Sequence, residues 1–198
     1  MNEDKIVTVE NKKDEQFLRK KTEIFDFGKF SARELTALIV KMRKAMKLAR
    51  GIGLSANQIG LNMRVFVAQI PKTQIHADSN ADKRGSNISE NQRIYQRESA
   101  SGKFYAVFNP EIVKYSRETV PMEEGCLSVP GVYGLVDRPE KVALAGFDKN
   151  EKKIKIKAWG LLAKVFQHEM DHLNGKLFID RAKEIYRMPV SERLKEKS

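Results

Sequence analysis

Apolar side chains recur at steps of three and four residues between positions 32 and 49, a spacing that predicts an amphipathic helix. Ser31 and Glu34 have the spacing of a capping box, in which the serine side chain accepts from the Glu34 backbone N–H and the glutamate reaches back. Gly51 is well placed to end this helix. The apolar positions are Leu35, Leu38, Ile39, Met42, Ala45, Met46 and Ala49.

Four segments have the composition or the alternation of β-strands. Residues 63–70 and 104–110 are rich in β-branched and aromatic side chains. Residues 141–148 and 153–159 alternate around the sequence DKNEK, which predicts a hairpin with one buried and one wet face. The stretch 72–102 has almost no large apolar side chains, so we expect a long polar insertion that adds little to the core.

A second helix is predicted from about Leu161, and Asn174 with Gly175 supplies its C-terminal stop. Its apolar stripe consists of Leu162, Phe166, Met170 and Leu173. The sequence QHEMDHL at 167–173 therefore lies on a helix.

Composition and charge narrow the class of protein. The 198 residues are 41% hydrophobic and 32% charged, which is typical of a soluble globular protein of one domain. No apolar run is long enough to cross a membrane, and residues 1–13 lack the apolar core of a secretion signal, so we expect a cytosolic protein. The formal net charge of +11 favours anionic partners such as nucleic acid, but a solvated basic surface without a partner explains it equally well.

His168 and His172 lie four residues apart, so on a helix both imidazoles can reach one metal ion, with Glu169 beside the site. The alternative interpretation is a helix that carries two surface histidines and binds no metal. The only cysteine, Cys126, cannot form an internal disulfide and lies in the glycine- and proline-punctuated segment EEGCLSVPG. Three protein ligands would leave the fourth tetrahedral position open for water, which is typical of a catalytic rather than a structural site.

The segment GIGLSANQIG at 51–60 follows the first predicted helix. No predicted strand precedes it, and it has no lysine followed by a serine or threonine. The segment is therefore a poor match to a phosphate-binding loop or a dinucleotide-binding motif. Its glycines allow a close approach of backbone to a ligand, and Gln58 offers an amide donor to a developing oxyanion. A simple glycine turn is the alternative.

These three segments resemble, in order and approximate spacing, the motifs of peptide deformylases. That family carries G-x-G-L-A-A-x-Q, E-G-C-L-S and Q-H-E-x-D-H, and this chain reads GIGLSANQ, EGCLS and QHEMDH. The similarity extends over most of residues 6–182. Ser55 stands where the family usually has alanine and Asn57 where proline is frequent, and neither change removes a functional group.

The resemblance implies removal of the formyl group from the N-terminal formylmethionine of nascent chains. It implies an α+β fold with antiparallel strands around a metal-binding central helix, an N-terminal helix and a C-terminal helical segment. We expect one catalytic domain over 1–198, with the insertion at 72–102 and a basic tail from about 183.

The expected metal ligands are Cys126, His168 and His172. Family resemblance implies Fe(II), although Zn(II), Ni(II) or Co(II) also suit this ligand set. Glu169 is the expected proton carrier, and Gln58 and the Leu127 backbone N–H are the expected oxyanion donors.

The expected pocket for the methionine side chain contains Ile52, Gly53, Leu54 and Val165, for which ordinary core packing is the alternative. Glu123 and Glu124 suggest a carboxylate near the metal, and Asp171 either faces solvent or orients a neighbour.

Two other functions remain open at this point. A zinc metallopeptidase also uses H-E-x-x-H, although such enzymes commonly add a carboxylate or a third histidine as ligand, and the remaining histidine, His76, lies in the insertion. A basic ribosome- or RNA-binding protein with a structural metal is the second. For a deformylase, the basic surface and tail predict weak, electrostatic association with ribosomes.

Overall fold

The computed structural model describes residues 5–70 and 103–187. The predicted insertion at 72–102 and the part of the basic tail beyond residue 187 lie outside the described residues. Helices α1, α2 and α3 span Lys12–Leu18, Ala32–Leu48 and Gly160–Leu173. Within the described ranges, no helix is long and apolar enough to cross a bilayer.

The predicted first helix is confirmed as α2. Ser31 is its N-cap, and both hydrogen bonds of the capping box with Glu34 are present. The helix ends differently from the prediction, because Arg50 rather than Gly51 adopts the left-handed conformation, with a φ of 56°. The Gly51 backbone N–H donates to the Met46 carbonyl over 2.8 Å, so the glycine completes the C-terminal hydrogen bonding from the following position.

A five-stranded antiparallel sheet has the order β1-β2-β3-β6-β7. Its strands are β1 Gly53–Ser55, β2 Val65–Gln69, β3 Phe104–Tyr115, β6 Lys141–Phe147 and β7 Lys153–Trp159. The predicted hairpin is confirmed as β6 and β7, which pair from Lys141 opposite Trp159 to Phe147 opposite Lys153. β3 runs farther than predicted because register shifts near Pro110 let it continue along β6.

A second antiparallel sheet contains β4 Thr119–Cys126, β5 Val129–Pro139 and β8 Glu184–Arg187, in the order β4-β5-β8. The predicted C-terminal helical segment is not found among the described residues after α3, 174–187. After α3, the described chain forms a single 3-10 turn at Phe178–Asp180 and then β8. The sequence EIYR suits a strand, and Tyr186 stacks on Tyr133 of β5 with 6.1 Å between the ring centroids.

Alternation along the strands of the larger sheet gives it two apolar faces. Val65, Val67 and Phe108 belong to the cluster that includes Met42 and Met46 of α2. Phe66, Val107 and Leu144 belong to the cluster that includes Phe166 and Leu173 of α3. Ten of the fourteen residues of α3 are buried, and this helix contacts strands of both sheets. The central helix therefore holds QHEMDHL between the two sheets.

Candidate metal centre and active site

Cys126, His168 and His172 come together where β4 ends beside α3. One ligand atom from each lies within 4.8 Å of the others, and Cys126 Sγ is 3.1 Å from His172 Nε2. A register shift between Gly125 and Cys126 in the pairing with β5 accompanies this placement of the thiol. The predicted ligand set is thus assembled in space, and it fits a borderline-soft divalent ion with an open fourth position.

The electrostatics of this cluster favour the ionised form of the Cys126 thiol. Burial raises the pKa of the Cys126 thiol, but the adjacent imidazoles of His172 and His168 outweigh burial and leave the pKa well below its ordinary value. A thiolate is the form that binds a metal ion.

Glu124 holds the ring of His168. Its Oε2 lies 2.9 Å from His168 Nδ1, which leaves Nε2 directed away from the carboxylate and available to a metal ion. Burial opposes ionisation of Glu124, but hydrogen bonds from His168 and Arg138 lower its pKa to about 2. Of the two candidate glutamates, the structure brings Glu124 to the site. The Glu123 carboxylate instead accepts a hydrogen bond from the Tyr186 hydroxyl.

Arg138 connects this carboxylate to α3. Its Nε and Nη2 donate to both oxygens of Glu124 over 2.8 and 3.0 Å, and its Nη1 donates to Asp171 Oδ2 over 2.6 Å. Arg181 then donates to both oxygens of Asp171 over 2.7 and 2.8 Å. Asp171 therefore faces inward and orients neighbours. Sequence reasoning missed Arg138, because its reach to Glu124 depends on a β4–β5 hairpin that was not predicted.

Glu169 lies beside the ligands with only 3% of its surface exposed. Burial raises its pKa to about 7, against the lowering influence of His168 and His172. Its Oε2 has no hydrogen-bond partner among the described residues. A buried carboxyl with a pKa near neutrality and a free oxygen is suited to taking up and returning a proton.

Gln58 is held with its amide N–H₂ toward the cysteine. Its Oε1 accepts from the Ser55 backbone N–H over 2.9 Å and from the Ser55 hydroxyl over 3.0 Å. Its Nε2 lies 3.2 Å from Ser128 Oγ and 3.7 Å from Cys126 Sγ. The sequence analysis treated Ser55 only as a departure from the family pattern, although its hydroxyl group could have indicated a hydrogen bond to Gln58. Ser128 was not predicted.

Asn57, the other departure from the family pattern, also has a structural partner. Its side-chain amide donates to the His172 backbone carbonyl over 2.8 Å and so connects the glycine segment to α3.

The predicted pocket residues divide into two groups. Ile52 and Val165 belong to the α3 side of the core, and Gly53 packs against Val165 and Glu169. Leu54 is fully buried on the opposite side, against α2, because successive side chains of β1 point to opposite faces. The assignment of Leu54 to a substrate pocket is therefore wrong. Leu127 directly follows Cys126, and its side chain packs against Gly51.

Comparisons with known proteins agree with this geometry. A family model described as polypeptide deformylase matches residues 4–188. A peptide deformylase of Natranaerobius thermophilus is 39% identical over 153 residues, which are 77% of this chain and 80% of the relative. One of Hydrogenovibrio crunogenus is 36% identical over 162 residues, 82% of this chain and 79% of the relative. The crystal structure of peptide deformylase from Thermotoga maritima superposes with a TM-score of 0.68 at 27% identity, covering 91% of this chain and 97% of that one.

Proposed function

We propose residue roles from one premise: the chain belongs to the polypeptide deformylase family of metalloenzymes, which remove the N-formyl group from nascent polypeptides. The observation that carries the proposal is the arrangement around the ligand cluster. A buried carboxylate, Glu169, and an oriented amide donor, Gln58, both lie next to the thiol and imidazoles of Cys126, His168 and His172. A site that only stabilised the fold would need neither group.

Cys126, His168 and His172 hold one divalent ion in this proposal, and the native ion is Fe(II). The set of one thiolate and two imidazoles supports a divalent transition metal, and it would also accept Zn(II), Ni(II) or Co(II). Such an ion lowers the pKa of a water molecule and polarises a carbonyl oxygen.

Glu169 carries the proton in the reaction. Its carboxylate takes a proton from the attacking water, and the resulting acid gives that proton to the departing amide nitrogen. Burial without a fixed partner for Oε2 supports this double role, because the carboxyl then exchanges its proton with the substrate rather than with a neighbouring side chain.

Gln58 and Leu127 stabilise the oxyanion. The Gln58 Nε2 donates to the former carbonyl oxygen, and Ser55 keeps the amide in that orientation by donating to its Oε1. The Leu127 backbone N–H is adjacent to the cysteine and serves as the second donor. Each such donor is worth about 3 to 4 kcal/mol in the transition state.

The substrate is an N-formylmethionyl nascent peptide. Ile52 and Val165 offer apolar surface for the methionine side chain beside Glu169, and Gly53 allows the substrate backbone to approach closely. The test compares formyl-Met peptides with the same peptides lacking the formyl group. Release of formate without cleavage of internal peptide bonds is expected. Hydrolysis of unformylated peptides would instead favour the metallopeptidase alternative.

The enzyme works in the cytoplasm as one catalytic domain and associates weakly with ribosomes through its basic tail. The net charge of +11 supports an electrostatic contribution. A truncation that tests the tail should end after Arg187, because removal from residue 183 would also delete β8. Salt-sensitive sedimentation with ribosomes is expected to weaken in the truncated protein while its activity on short peptides persists. Equal sedimentation of both proteins would contradict a role for the tail.

A further inference from the structure

Asn57 lies between the glycine segment and the C-terminal end of α3, with only 1% of its surface exposed. Its Nδ2 donates to the His172 backbone carbonyl over 2.8 Å. That carbonyl lies in the last turn of α3, where helical carbonyls lack the partner that a continuing helix would supply. The Gly175 backbone N–H provides one donor over 3.0 Å, and the Asn57 amide provides a second. Asn57 therefore fixes the end of the helix that carries His172.

The two histidines of the ligand cluster are held differently. The Glu124 carboxylate lies 2.9 Å from Nδ1 of His168 and orients that ring. The Nδ1 atom of His172 is buried and has no hydrogen-bond partner among the described residues. The placement of the His172 ring therefore depends on packing and on the backbone of α3, and Asn57 binds that backbone at His172 itself.

The Ser55 hydroxyl lies between the Asn57 amide and the proposed oxyanion donor. Its Oγ donates to Asn57 Oδ1 over 2.8 Å and is 3.0 Å from Gln58 Oε1. A hydroxyl has one proton, so it donates to one of these oxygens at a time. The Ser55 backbone N–H already donates to Gln58 Oε1 over 2.9 Å, which leaves the hydroxyl proton available to Asn57. Because Oδ1 accepts from Ser55, the Asn57 amide turns its Nδ2 donor toward His172.

We propose that Asn57 is a positioning residue for His172 and that Ser55 couples it to Gln58. One buried chain of hydrogen bonds then sets the position of a metal ligand relative to the oxyanion donor. The coupling rests on the roles proposed above for His172 and Gln58. Ser55 and Asn57 are the two departures from the family pattern, and an alanine or a proline side chain would form neither hydrogen bond.

The proposed reaction requires this kind of control over position. An oxyanion donor acts at hydrogen-bond distance from the developing charge, and a misplacement of about 1 Å can cost about a hundredfold in rate. Ser55, Asn57 and Gln58 are each at most 2% exposed, so bulk water does not compete for their hydrogen bonds. The contacts that link Gln58 to His172 are 2.8 to 3.0 Å long, which limits the relative movement of the two residues.

Asn57→Leu removes both hydrogen bonds of the amide at similar side-chain size. Titration of the metal-free, full-length variant with Co(II) should show an affinity about ten- to a hundredfold below that of the parent. Asn62→Leu is the matched control, because the exposed Asn62 amide also makes two hydrogen bonds, both to Glu23. Unchanged Co(II) affinity in Asn57→Leu, or an equal loss in Asn62→Leu, would overturn the link to His172. Asn57→Ala adds no atoms that could clash, and it decides the same question if the leucine variant does not fold.

The spectrum of the bound ion separates positioning from a loss of stability. At saturating Co(II), the visible bands of Asn57→Leu should differ from those of the parent, because the His172 imidazole has moved. Bands identical to those of the parent, in a variant that binds Co(II) more weakly, would assign the effect to folding and would overturn the positioning role.

A double-mutant cycle tests the coupling through Ser55. Ser55→Ala removes the hydroxyl and keeps the backbone N–H that binds Gln58. At saturating Co(II), Ser55→Ala and Asn57→Leu should each lower kcat for a formyl-Met peptide by about tenfold at nearly unchanged KM. The double variant should lose no more than the weaker of the two single variants, because both changes break the same chain. Losses that multiply would overturn the coupling. Absence of formate release by the parent would instead refute the proposed deformylase roles, while the Co(II) titration would still test the link between Asn57 and His172.

Discussion

The carboxylate of Glu169 packs directly against the backbone of Gly53, in the space that any side chain at position 53 would occupy. A Cβ at Gly53 would contact Glu169 Oε1 and would lie 2.8 Å from Val165 Cγ1. The position of the Glu169 carboxylate on α3 thus depends on the absence of a side chain at position 53 of β1.

Replacement of Gly53 by alanine should move the Glu169 carboxylate and lower kcat by about tenfold or more, because small misplacements of a reacting group are costly. The metal content should stay the same, since the ligands are not touched. Gly28→Ala is the control, because its added Cβ meets only an exposed aspartate side chain at 3.3 Å. Unchanged kcat in the Gly53 variant would show that Glu169 is not held in a required position.

Glu169→Gln should keep the metal and lose turnover by about a hundred- to ten-thousandfold, because the amide preserves size but cannot accept the proton. Metal analysis and formate release on the same preparation check this expectation. Glu118→Gln, at an exposed carboxylate between β3 and β4, should behave like the parent. Full activity of metal-loaded Glu169→Gln would remove Glu169 from the mechanism.

Cys126→Ser should weaken metal binding far more than folding, because a neutral hydroxyl replaces an anionic soft ligand at nearly unchanged size. The metal-free variant should retain the circular dichroism spectrum and the urea midpoint of the metal-free parent. Metal affinity equal to that of the parent would mean that the thiol is not a ligand.

Arg138→Met should destabilise the metal-free protein by about 3 to 5 kcal/mol, because it leaves the buried carboxylates of Glu124 and Asp171 without their shared cation. Metal affinity should also fall by about ten- to a hundredfold as His168 loses its support. Arg19→Met removes a partly exposed ion pair with Asp180 and should cost about 1 kcal/mol or less. Similar urea unfolding curves for the two variants would contradict the structural role assigned to Arg138.

The sequence predicted those parts of the fold that have a strong local signal. The capping box at Ser31 and the apolar spacing of α2 are local features, as are the alternation of β6 and β7 and the Asn174-Gly175 stop, where Gly175 has a φ of 71°. β4 and β5 were not predicted, because their burial depends on contacts with distant parts of the chain. The short strand β8 was not predicted either, because it is stabilised by pairing with β5, which lies far away in the sequence.

The candidate site shows the same division. The motif spacing was enough to predict that His168 and His172 share one face of a helix with Glu169 beside them, because the helical period brings residues four apart together. Cys126 lies on β4, and its approach to the two histidines depends on the tertiary fold.

Ser128 and Arg138 take part through hydrogen bonds between residues far apart in sequence, which no local pattern indicates. Arg181 bonds Asp171 ten residues away. Ser55 bonds Gln58 only three residues away, so the capping-box spacing of these two residues was a local signal. Leu54 was misassigned because adjacency in sequence to Gly53 does not mean adjacency in space on a strand.

In the proposed mechanism, Cys126, His168 and His172 hold one ion that is required for deformylation. The most direct test is titration of the metal-free protein with Co(II), following the thiolate-to-metal absorption and the release of formate from a formyl-Met peptide in the same sample. Both signals should rise together and stop at one equivalent of metal per chain, and both should be lost in Cys126→Ser. Formate release by the metal-free protein, or activity that appears without the thiolate absorption, would contradict the account.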